Sequence, residues 1–86
     1  MDVTFETVCG RRFTVEVWFF ATVRDLKEAV QRREGVPAAL QRLFLDGREL
    51  ADDAKYTEHY GVLQGTRLLL LLPEDDPTSH LRRQAA

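Results

Sequence analysis

The run RLLLLLPEDD, Arg67 to Asp76, decides how this chain folds. A strand sends successive side chains to opposite faces, so a sheet covered on one side buries only alternate members of such a run. Leu68, Leu70 and Leu72 are then expected inside, and Leu69 and Leu71 outside. Pro73 has no N–H to offer a ladder, so the strand is predicted over Arg67 to Leu72. The apolar run is far too short to cross a bilayer. The first strand of the chain lies too far away to form a hairpin with it. The two can instead pair in parallel at the centre of a sheet, across a long crossover.

The rest of the chain supplies that crossover. Met1, Val3 and Phe5 alternate with Asp2, Thr4 and Glu6; after a turn at VCGR, Phe13, Val15 and Val17 alternate with Arg12, Thr14 and Glu16. This pattern reads as a β-hairpin with one buried face. The period then changes, with Val23, Leu26, Lys27 and Val30 spaced as a helix stripe. Thr22 as N-cap, Asp25 completing a capping box, and Gly35 and Pro37 as stops predict a helix from about Val23 to Glu34. Leu43 and Leu45 share one face of the next strand, and Arg42 and Phe44 the other. Asp46-Gly47 then turns the chain into a short return strand at Glu49-Leu50, and a short helical turn is expected around Thr57 to Tyr60. The order ββαββ(short helix)β predicts an α+β fold, a mixed sheet of four to five strands packed on one α-helix. The domain is expected over residues 1–73, with 74–86 a flexible polar tail or linker.

Composition narrows the chemistry. Eighty-six residues make one domain, and a net charge of -2 lacks the basic footprint that nucleic-acid binding requires. Cys9 is the only cysteine, which rules out an internal disulfide and fits a reducing compartment, the cytoplasm or nucleus. Residues 1–10 do not read as a signal peptide. His59 and His80 stand far apart, without cysteines or acids at metal-ligand spacing. Cys9 has no base beside it, and Ser79 has no triad context. Asp52-Asp53 and Glu74 to Asp76 read as solvated charge. No enzyme activity, cofactor, metal, nucleic acid or membrane is expected.

Four segments carry a resemblance to a known family: TVEV (Thr14 to Val17), EGVP (Glu34 to Pro37), QRLFLDGREL (Gln41 to Leu50) and the closing apolar strand. In order and spacing the chain resembles ubiquitin over essentially its first 72 residues, with one extra residue around Tyr56 to Tyr60. The resemblance implies the β-grasp fold. It also implies two departures from the conjugated members of the family. Those end in a slim Gly-Gly extension that activating enzymes thread through a narrow channel, whereas here PEDDPTSH follows Leu72. The expectation is a non-conjugating type. Only Lys27 and Lys55 are present, and positions where ubiquitin carries linkage lysines hold Glu6, Arg11, Arg33, Arg48 and Gln64. Arginine keeps the charge but cannot form an isopeptide bond, although an arginine-rich composition explains the replacement as readily. Lys27, on the core-facing stripe, is expected to be mostly buried with Asp52 as a possible partner.

In the implied arrangement the last strand lies between the first and third, so Phe44 neighbours Leu69 and Leu71 on the outer face. Val8 at the hairpin tip and Arg42 and Arg48 at the rim complete a partner-binding patch similar to the one by which ubiquitin is recognised. The resemblance therefore implies a protein-interaction domain, monomeric in isolation. Its partners would be ubiquitin receptors, proteasome subunits or ligase components. The alternative is an intramolecular regulatory or complex-assembly domain, with the patch covered by a neighbouring domain. Trp18, Phe19 and Phe20 stand in the strand-to-helix connection, where relatives are polar. Either one or two of them tuck under the helix end or the Tyr56 to Tyr60 loop, or they form a second contact surface.

Overall fold

The hairpin forms where the alternation predicts it. Strand β1 (Asp2–Thr7) pairs antiparallel with β2 (Arg12–Glu16), setting Val3 opposite Val15 and Phe5 opposite Phe13. The two phenylalanine rings stack at 5.5 Å on the buried face. The computed structural model describes residues 1–75; the expectations for Asp76, Ser79, His80 and the rest of the tail fall outside them.

Helix α1 spans Val23–Glu34 and starts with the expected capping box. The Asp25 N–H donates to Thr22 Oγ1 at 3.2 Å, and the Thr22 N–H donates to Asp25 Oδ2 at 2.9 Å. At the other end Gly35 adopts φ 79°, a left-handed conformation that only glycine takes without strain, and its N–H closes on the Gln31 carbonyl. Val23, Leu26, Lys27, Ala29 and Val30 are buried. The helix stripe thus faces the sheet as its spacing requires.

A short 3₁₀ turn, Ala38–Leu40, leads into β3 (Arg42–Leu45), which is joined to β4 (Arg48–Glu49) through Asp46-Gly47. Both turn residues have positive φ, 50° and 84°, which matches the twist of a two-residue hairpin loop. A second 3₁₀ turn, Thr57–Tyr60, precedes β5 (Arg67–Leu71). The five strands stand in the order β2-β1-β5-β3-β4. β5 is central, parallel to β1 and antiparallel to β3. This is the mixed, single-helix α+β sheet of a β-grasp.

Leu68 and Leu70 are fully buried beside Phe5, Leu26, Leu43 and Leu50, and Leu72 is partly buried against the same core. One detail differs from expectation. Lys27 pairs with Asp53 at 2.7 Å and not with Asp52, because the Asp52 carboxylate accepts the Ala54 N–H and is committed to its own turn. Pro73–Asp75 forms a 3₁₀ turn in which the Asp75 N–H donates to the Leu72 carbonyl and the Leu72 N–H donates to the Asp75 carboxylate.

Candidate docking face of the sheet

The face of the sheet away from α1 divides into two halves. On β1 and β2 it is polar: Thr4 and Thr14 hydroxyls meet at 2.9 Å, and Glu6 pairs with Arg12 at 3.0 Å and approaches Arg67 at 3.9 Å. On β5 and β3 it is apolar. The antiparallel register sets Leu69 beside Phe44 and Leu71 beside Arg42. Leu69 is 40% exposed, and Phe44 and Leu71 are half-buried. Together with Glu6, Asp46, Gly47 and Arg67 these three line a shallow groove of about 410 Å³.

Arg42 borders this groove and is held in place. Its Nε and Nη2 donate to the two Glu49 carboxylate oxygens at 3.1 and 2.9 Å, and its guanidinium lies 5.1 Å from the centre of the Phe44 ring. This pair presents a flat, charge-balanced edge next to the apolar centre. The hydrogen bonds from Arg42 hold the Glu49 carboxyl below the usual glutamate range, against the opposing effect of burial. A folded-state value lowered in this way contributes stability above the ordinary glutamate range, and that contribution is lost as pH falls through the lowered value. We expect a side-chain NMR titration to find Glu49 ionising below ordinary glutamate, and Arg42→Ala to return it to that range. The cost of that variant in stability should stay below about 1 kcal/mol, as for other surface pairs.

Of the expected patch residues, the structure brings Phe44, Leu69, Leu71 and Arg42 together. Val8 is 60% exposed at the β1–β2 turn and does not line the groove. Arg48 lies elsewhere. The register pairs it with Leu45, on the other face from Phe44, and its guanidinium stands 5.3 Å from the Tyr60 ring centre. Glu49, opposite Phe44, takes the place beside the patch. Sequence reasoning missed Glu6, Asp46 and Arg67 as groove residues, although alternation along β1 and β5 already sets Glu6 and Arg67 on the outer face. Trp18, Phe19 and Phe20 do not tuck under the helix; all three are exposed. Thr7 Oγ1 at 3.1 Å lowers the exposed Cys9 thiol from its ordinary value, with help from a backbone hydrogen bond from Arg11.

Among the described residues no helix is long and apolar enough to cross a membrane, and no three His, Cys, Asp or Glu side chains gather as a metal site. Residues 3–75 match the model of the ubiquitin family. The chain belongs to the ubiquitin family. A ubiquitin domain-containing protein of Arabidopsis thaliana, 7SL RNA2, is 35% identical over 77 residues, which cover 90% of this chain and 29% of that protein. The NEDD8-like protein RUB3 of the same plant is 31% identical over 72 residues, 84% of this chain and 91% of that protein. AN1-type zinc finger protein 4 of Mus musculus is 35% identical over 72 residues but only 10% of its length is matched. The ubiquitin-family domain therefore corresponds to nearly the whole of one relative and to a small part of the others.

Proposed function

We propose that this ubiquitin-family domain is a non-conjugated interaction module, not an enzyme, that docks onto ubiquitin receptors, proteasome subunits or ligase components in the cytoplasm or nucleus. The observation that carries the reading is the apolar half of the outer sheet face, where Phe44, Leu69 and Leu71 line one groove bordered by Arg42. Val8 adds apolar surface at the nearby hairpin turn. A contiguous apolar patch on a soluble domain usually marks an interaction site. Covering about 300–400 Å² of it is worth on the order of 8–10 kcal/mol gross. Association costs roughly 4–15 kcal/mol, so weak affinity, about tens of micromolar at its tightest, is the natural expectation.

The turn at Pro73–Asp75 supports the non-conjugated reading. It curls the chain back at the point where a conjugated relative runs out as a slim extension, and Asp75 pins it to Leu72. We expect no thioester when the protein is incubated with ubiquitin-type or NEDD8-type activating enzymes and ATP. A charged, reductant-sensitive adduct would make the chain a modifier, as the names of some relatives suggest, and would overturn this part of the reading.

The matched relatives in which the domain is a small part of the protein favour a second reading, in which the patch holds a neighbouring domain. Deleting the domain from a longer parent would then raise a neighbour's activity or dissolve a complex. Under the docking reading the deletion abolishes recruitment of the partner.

A further inference from the structure

Trp18, Phe19 and Phe20 stand in water at 69%, 63% and 65% exposure, yet the backbone that carries them is firmly tied. The Ala21 N–H donates to the Trp18 carbonyl at 3.0 Å, and the Thr57 N–H to the Ala21 carbonyl at 2.9 Å. The Val23 N–H donates to the Lys55 carbonyl at 2.9 Å, and Thr22 pairs with Tyr56 in an isolated antiparallel bridge. Two connections far apart in sequence are thereby fixed as one platform. Between them lies a hollow of about 630 Å³ lined by Phe20, Tyr56, His59 and Glu58, three rings and one carboxylate. Trp18 packs against the Phe20 ring at 5.9 Å and extends the aromatic surface.

Acids outnumber bases in the lining of this platform. The adjoining groove beside Trp18 is lined by Glu16, Asp25 and Glu28 against a single base, Arg32. Among the described residues, Glu16, Glu28 and Glu58 form no ion pair. Arg24 and Lys55 are exposed nearby but line neither hollow. Elsewhere in the fold, rings are covered by the protein's own cations: Arg33 over Phe13, Arg42 over Phe44 and Arg48 over Tyr60. Among the described residues no such cation stands over Trp18, Phe20 or Tyr56. Aromatic faces are negative, and rings grouped around a carboxylate without a counter-charge complement an organic cation.

The geometry points to a second binding site, in which Phe20, Tyr56, His59 and Glu58 receive the ammonium or guanidinium group of a lysine or arginine on a basic segment of a partner protein. Glu16 and Glu28 attract the further basic residues of that segment across the Trp18 groove. The site shares no lining residue with the Phe44 groove, so it stands whether or not the sheet patch docks as proposed. The backbone that carries the rings is tied before binding, which lowers the ordering cost of capture.

The test is a titration of the full chain at neutral pH and low salt with a capped alternating Gly-Arg peptide, beside its citrulline counterpart of equal size and no charge. Trp18 is the only tryptophan, so its fluorescence reports directly, and backbone amide shifts at Phe20, Tyr56, Glu58 and His59 map the contact. The arginine peptide should bind and the citrulline peptide should not. Phe20→Ala and Glu58→Gln should each weaken binding by about two- to fivefold, the scale of an exposed cation–aromatic contact and an exposed ion pair, with core amides unmoved. Phe44→Ala should leave this binding unchanged. Equal binding of the citrulline peptide, indifference to both variants, or no response at millimolar peptide would each overturn the site. So would self-association that covers Trp18 without peptide, which would make a second copy the occupant.

Discussion

Leu70→Ala should destabilise the domain by about 2–5 kcal/mol, whereas Leu69→Ala next to it should cost less than about 0.5 kcal/mol. The two residues are chemically identical neighbours on the central strand. Leu70 is 1% exposed, flanked in register by Thr7 on β1 and Leu43 on β3, and truncating it opens a cavity that a close-packed core cannot fill. Leu69 is 40% exposed and leaves no cavity. Against a total stability of roughly 5–15 kcal/mol, the first change removes a large fraction and the second almost none. Urea unfolding of the two variants, compared at the transition midpoint with the slope unchanged, measures the difference. Equal losses would mean that β5 does not alternate between core and solvent.

The second large effect falls on binding. Phe44→Ala should reduce affinity for a patch-directed partner by about thirtyfold or more, since a truncated aromatic anchor at the centre of an interface typically costs at least ~2 kcal/mol. Its effect on folding should be much smaller, because the ring is half-buried and lies outside the core cluster. Arg42 would lose the ring it lies over but keep its two hydrogen bonds to Glu49. Calorimetric titration of folded wild-type and variant protein against one helical ubiquitin-interacting peptide reads the loss directly.

Much of the fold was legible because local signals agreed with one another. Alternation in residues 1–17, the Thr22–Asp25 capping box, Gly35 and Asp46-Gly47 each act over a few residues, and each stands where its chemistry requires. The same alternation separated Leu68 and Leu70 from Leu69 and Leu71. What was missed lay in carrying the alternation through a two-residue strand, or depended on tertiary context. The return strand is Arg48–Glu49 where Glu49-Leu50 was expected, but the pairing is the one a buried Leu50 requires, with the Leu50 N–H on the Leu43 carbonyl and Glu49 on the outer face. That is why Glu49, and not Arg48, stands beside Phe44. The choice between Asp52 and Asp53 for Lys27 turned on a local hydrogen bond to Ala54, and consecutive acids give no sign of it in sequence. The aromatics at 18–20 could not be placed from periodicity, since three in a row fit neither period. The tie between Thr22 and Tyr56 that fixes their platform joins segments far apart in the chain.

Which leucines of the central strand meet a partner decides whether this face of the sheet docks. In a protein with isotope-labelled leucine methyl groups, titration with a helical ubiquitin-interacting peptide should shift the methyls of Leu69 and Leu71 in a saturable transition. The methyls of Leu68 and Leu70 should stay in place. Silence at Leu69 and Leu71 up to millimolar peptide, or a response confined to other parts of the surface, would contradict the proposal that this face of the sheet is the docking site.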